Sequence, residues 1–133
     1  MTYHVTRNGD GRPRIDLRDE PLYCRALAAA PSSREPELGS GRWLVLAFAA
    51  WSMPDIQAIQ TALDAAKRFG GGLILGLRPF DVPEEFDAWC PGLEGLEETS
   101  VWLAFTDGEM RLEHRGALTV DELVNMIEAR SVA

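Results

Sequence analysis

Two apolar runs, WLVLAFAA at residues 43–50 and LILGL at 73–77, flank one amphipathic stretch, and this arrangement restricts the fold more than any other feature of the chain. Neither run alternates polar with apolar residues, as expected of strands covered on both faces. Between them, the residues from Met53 to about Phe69 place Ile56, Ile59, Leu63 and Ala66 on one helical stripe. They carry Lys67 and Arg68 in the last turn, where cations favour the helix dipole, and stop at Gly70-Gly71-Gly72. Strand, helix and strand in this order predict a parallel pair joined by a right-handed crossover.

The rest of the chain adds elements around that unit. Residues 3–7 and 14–17 are strand candidates separated by NGDGRP, whose Asn-Gly and Asp-Gly pairs are turn chemistry, so a hairpin or an arm both fit. DEPLYCRALAAA at 19–30 reads as a short helix, with acids in its first turn, Pro21 near its start and Leu22, Leu27 and Tyr23 facing inward. PSSREPELGSGR at 31–42 reads as a polar surface loop. VPEEFDAW predicts an acidic helix with Phe86 and Trp89 inward, and SVWLAF, TDGE and MRLEHR predict a strand, a turn and a return strand. Thr119 with Glu122 three residues on is a capping box opening a last helix that buries Val120, Leu123, Val124 and Ile127. The expected plan is an N-terminal arm or extra strand over 1–13, then a single α/β domain over 14–133 with a loop insertion at 31–42.

At 133 residues, with 46% hydrophobic and 26% charged residues, the chain is long enough to bury one core without disulfides or metal. The longest apolar run is about half the ~20 residues needed to cross a bilayer, and MTYHVTRNGDGRPR lacks a signal-peptide core, so a cytoplasmic protein without a membrane partner is expected. The net charge of −8 repels phosphate, and no Lys/Arg stripe is interleaved with aromatics, which argues against nucleic acid. The negative field is uneven: residues 78–98 hold seven acids against one Arg, either a solvated surface or a docking site for a basic partner.

The joint between the first apolar run and its helix reads AAWSMPDI, and the chain's C-terminal part reads VWLAFTDGEMRLEHRGALTVDELVNMIEA. The first resembles the strand and loop that carry Trp-Cys-Gly-Pro-Cys in the thioredoxin family. The second resembles the family's strand ending in Phe, its Asn/Asp-Gly-Glu turn, its return strand and the Gly-Ala-Leu-Ser/Thr segment before the final helix. Over about residues 14–130 the resemblance implies a thioredoxin-like fold: a three-layer α/β/α sandwich with a mixed central sheet and a C-terminal antiparallel hairpin plus helix. The family's redox equipment does not carry over. By the same register the nucleophilic cysteine position is Ser52, the resolving position Asp55, the buried acid Leu46 and the cis-proline Ser100.

Disulfide exchange needs a thiolate and a second thiol, and a serine hydroxyl takes neither role. No base is placed beside Ser52 by the sequence, since His4 lies near the start and His114 on the hairpin, so a serine hydrolase is unsupported. Ser52 and Asp55 instead form a Ser-x-x-Asp capping pattern, stabilising by about 1 kcal/mol. No catalytic residue is therefore assigned.

Cys90, in DAWCPG, sits at a helix C-terminus among acids, both of which raise a thiol pKa, and it reads better as a structural cysteine; Cys24 reads the same way. The resemblance puts both cysteine-bearing helices on one face of the sheet, which permits a Cys24–Cys90 bridge that a reducing compartment disfavours. The two histidines and two cysteines lack metal-ligand spacing, and GGGLILG precedes a strand where a phosphate loop would precede a helix, so no metal and no cofactor are expected.

What remains is a surface. In thioredoxin relatives the tryptophan loop, the residue before the cis-proline and the Gly-Ala loop together dock an extended peptide. Here those places hold Trp51, Ser52, Met53, Pro54, Thr99, Ser100, Gly116 and Ala117. The resemblance implies a redox-inactive, non-catalytic module that binds another protein or peptide, as an adaptor, assembly or chaperone-like factor, including in enzyme maturation. The competing readings are that Trp51 and Met53 only cover the core edge, that Cys90 or Cys24 serves a one-cysteine thiol oxidoreductase, and that the chain is a structural subunit of a larger complex. Its oligomeric state is not legible.

Overall fold

The structure, a computed structural model, describes residues 4–7, 13–16, 24–26, 40–49, 53–70, 72–80, 83–89 and 100–131. Among the described residues two sheets are formed. β1 (His4–Arg7) and β2 (Pro13–Asp16) pair antiparallel as a hairpin of their own, with Val5 opposite Ile15. The second sheet has five strands in the order β3-β5-β4-β6-β7.

At its centre β4 (Arg42–Ala49) runs parallel to β5 (Ile74–Phe80), and α1 (Met53–Arg68) connects them. The expected strand–helix–strand unit is thus present. Its apolar runs lack alternation because both faces are covered: Trp43 to Ala49 are all essentially inaccessible. Leu44, Leu46 and Phe48 face α1 and α3 (Val120–Ser131), where Ile59, Leu63, Leu123 and Ile127 complete one cluster. Trp43, Val45, Ala47 and Ala49 face the other way, toward Phe86 and Trp89 of α2 (Pro83–Trp89). The helices α1 and α3 are also tied on the outside, where the Arg68 guanidinium donates to the Asp121 carboxylate at 2.6 Å.

β6 (Val101–Thr106) lies antiparallel to β4 and returns as β7 (Glu109–Arg115). Thr106 faces Glu109 across a two-residue loop, and both loop residues have positive φ, 50° at Asp107 and 85° at Gly108. That is the turn whose twist matches the flanking strands, and Asp-Gly is the pair that tolerates it. One irregularity follows: Ala104 pairs with Leu112 and Phe105 with Met110, so Arg111 is an extra residue on the edge strand.

The N-terminal part departs from expectation in one element. Cys24–Ala26 is not helical but forms β3, a three-residue edge strand parallel to β5 with Cys24 opposite Leu75. The residues around it that were read as the same helix, and the loop expected at 31–39, lie outside the described residues, as does Cys90. Cys24 therefore does not ride on a helix over one face of the sheet, as expected for both cysteines, because a strand carries it.

Candidate functional site

Three segments converge at one end of the five-stranded sheet. β4 ends at Ala49 and α1 begins at Met53, Ser100 immediately precedes β6, and Gly116 immediately follows β7. Because Val101 pairs with both Ala47 and Arg115, antiparallel geometry brings Ser100 and Gly116 to the end where β4 leads into α1. Met53 and Pro54 form the first turn of α1, where a proline sacrifices no helical hydrogen bond. Trp51, Ser52 and Thr99 lie outside the described residues, as do the side chains of Met53, Pro54 and Asp55, so the Ser52–Asp55 cap rests on sequence alone.

Two hydrogen bonds hold the described part of the site at Gly116. The Gly116 amide donates to the Ser100 carbonyl at 2.8 Å, and the Trp102 indole Nε1–H donates to the Gly116 carbonyl at 3.0 Å. Gly116 has φ of +100°, which a residue with a side chain rarely adopts, and so the glycine allows the chain to turn off the sheet here. Three residues later Thr119 opens the α3 capping box: the Glu122 amide donates to Thr119 Oγ1 and the Thr119 amide to Glu122 Oε1, both at 3.1 Å. These bonds hold the Glu122 carboxyl below its ordinary pKa, the Thr119 amide first among the causes and His114 adding a smaller favourable charge. The loop from Gly116 to Thr119 is thus anchored at both ends. Ala117 is exposed between the anchors, and Leu118 packs partly on the core.

The expected surface residues therefore differ in what they offer. Ala117 is accessible, Gly116 is partly so, and Ser100 is 3% exposed, so its side chain is not presented to a partner. Beneath them lies the row Leu77–Leu46–Trp102, paired across β5, β4 and β6, with every member at 0% exposure. Leu46 is embedded in hydrocarbon, so no proton carrier stands at that position. Among the described residues no group of three or more His, Cys, Asp or Glu comes together to hold a metal ion, and no helix is long and apolar enough to cross a membrane.

One feature escaped the sequence reading. Arg78, in the middle of β5, is 0% exposed, with its guanidinium 4.9 Å from the Phe80 ring centre and 5.5 Å from that of Trp89. Phe80 packs edge-on against both Phe86 and Trp89, so the cation sits against an aromatic cluster on the α2 side. The signal was available: Ile74, Arg78 and Phe80 share one parity in a strand, and Phe80 is core.

No family model matches the chain, and neither does any curated protein. Among solved structures it is similar to ERdj5, a thioredoxin-domain-containing protein seen in its crystal form I, at 16% identity and a TM-score of 0.62, over 96% of this chain and 18% of that one. It is also similar to a malarial protein at 11% identity and a TM-score of 0.51, over 68% of this chain and 98% of that one. The chain thus spans less than a fifth of ERdj5. At these identities the likeness speaks of fold alone: a mixed sheet with helices, of the α/β class and thioredoxin-like.

Proposed function

We propose that the protein is a redox-inactive thioredoxin-like module that binds another protein or peptide with the face where redox relatives keep their dithiol, acting as an adaptor, assembly or chaperone-like factor in the cytoplasm. The three-layer arrangement of the family suits the helices α1 and α3 on one side and α2 on the other. The observation that carries the reading is the wholly apolar, buried row Leu77–Leu46–Trp102 beneath an anchored loop that exposes Ala117. Relatives with dithiol chemistry keep an acid at the Leu46 position to move a proton, and leucine removes that step while leaving the frame. Ser52 and Asp55 at the two cysteine positions point the same way.

Binding without chemistry is tested with reduced, carboxymethylated α-lactalbumin, a permanently unfolded polypeptide, as the probe. The expected result is that the chain binds it and that Ala117→Glu, which places a charge on the exposed rim, weakens binding at least fivefold. Glu128→Ala, exposed about two turns further along α3, leaves binding unchanged. Equal affinities in all three proteins would remove this face from the account.

A further inference from the structure

We infer that Trp102 is the positioning residue of the docking rim: its indole N–H holds the Gly116 carbonyl against the sheet and thereby fixes where Ala117 is presented. The inference rests on the docking reading above and assigns a residue that the reading itself does not use. Trp102 is fully buried on the α1/α3 side of β6, paired with Leu46 on one flank and His114 on the other, so its ring has no freedom to follow a moving loop. Its Nε1–H reaches the Gly116 carbonyl at 3.0 Å, and the Gly116 amide reaches the Ser100 carbonyl at 2.8 Å. Both backbone groups of Gly116 are therefore committed to Ser100 and Trp102, two residues of one rigid strand and its lead-in.

Two consequences follow. The loop is pre-organised, since its other end is fixed by the reciprocal Thr119–Glu122 bonds, and a pre-ordered loop loses less entropy when a partner arrives. The partner also meets no spare main-chain donor at Gly116, because that amide already donates to Ser100. Next to Gly116 the rim offers the side chains of Ala117, exposed, and of Leu118 and Val120, partly so. Main-chain addition of an extended peptide cannot use the Gly116 amide.

The test compares Trp102→Phe, which keeps an aromatic ring and removes the donor, with Gly116→Ala, which strains the same loop without emptying the core. An added Cβ at 116 meets nothing within 4 Å, so the strain comes from the φ of +100° alone. Leu63→Ala, in the core below α1, is the control for general destabilisation. Amide hydrogen exchange is read at position 116 and at Val45 in β4, together with affinity for reduced, carboxymethylated α-lactalbumin. The expected result is exchange at 116 at least tenfold faster relative to Val45 in both loop variants, with affinity weakened at least fivefold, and neither change in Leu63→Ala. If protection at 116 falls only in step with Val45 in Trp102→Phe, the inference is overturned. If the loop loosens locally while affinity stays at the wild-type value, Trp102 holds the loop and the docking reading is what fails.

Discussion

Asp107 and Gly41, 66 residues apart, exchange two hydrogen bonds: the Gly41 amide donates to Asp107 Oδ1 and the Asp107 amide donates to the Gly41 carbonyl, both at 2.9 Å. The hairpin turn between β6 and β7 is thereby fastened to the entry of β4, at the end of the sheet opposite Ser100 and Gly116. Asp107 also holds φ of 50°, a region Asn and Asp tolerate better than other residues. Asp107→Ala loses both advantages and is expected to destabilise by about 1–2 kcal/mol, the range for a lost hydrogen bond together with backbone strain. Asp107→Asn keeps an acceptor oxygen and the tolerance of positive φ, and is expected to cost under about 1 kcal/mol. Urea denaturation of the two variants checks the order.

The capping box of α3 makes stability depend on pH. The folded Glu122 carboxyl has a lowered pKa, so the native state binds its proton less readily than the unfolded chain does. Its contribution is fully present above the ordinary glutamate pKa of about 4.3 and is lost as pH falls through the folded value. Glu122→Gln should therefore flatten the acid side of the stability curve while leaving its neutral side nearly parallel to wild type. Thr119→Ala should cost about 1 kcal/mol and remove most of the acid dependence due to Glu122, since the two side chains share one motif. Denaturation midpoints measured across the acid range decide this.

Much of this architecture was legible in the chain. The Asp-Gly turn, the Thr119–Glu122 box and the strand–helix–strand unit were readable because each rests on local chemistry or on long periodic runs. Residues 24–26 were misread for the opposite reason. Cys24, Arg25 and Ala26 sit in an alanine-rich stretch whose local preference is helical, and only parallel pairing with Leu75, Gly76 and Leu77 makes them a strand. At the site, the register placed Ser100, Gly116 and Ala117 together. It said nothing of Trp102, because an indole donor reaching a carbonyl 14 residues away leaves no mark in spacing.

Arg78 tests the α2 side of the sheet. Its planar guanidinium lies against Phe80 and Trp89, and an ammonium does not reproduce that stacking. Arg78→Lys is expected to lower stability by about 1 kcal/mol or more, within the range of a desolvated cation–π contact. A midpoint equal to wild type would mean that the aromatic cluster does not depend on this cation.

Absence of dithiol chemistry is expected from Leu46, Ser52 and Asp55 together. In an insulin-reduction assay with a thiol donor, turnover should stay at background. Turnover that disappears in Cys90→Ser or Cys24→Ser would instead establish a one-cysteine oxidoreductase.

The central claim, that the face bearing Ala117 binds a polypeptide without chemistry, is tested most directly at Trp51, the indole that precedes Ser52 at the joint leading into α1. The measurement is calorimetric affinity of Trp51→Ala for reduced, carboxymethylated α-lactalbumin, taken alongside its denaturation midpoint. The account predicts affinity weaker by about 2 kcal/mol or more, as for an aromatic hot spot, with little loss of stability. A loss of about 3 kcal/mol or more in stability, as for an emptied core site, with unchanged affinity among the folded molecules, would contradict it.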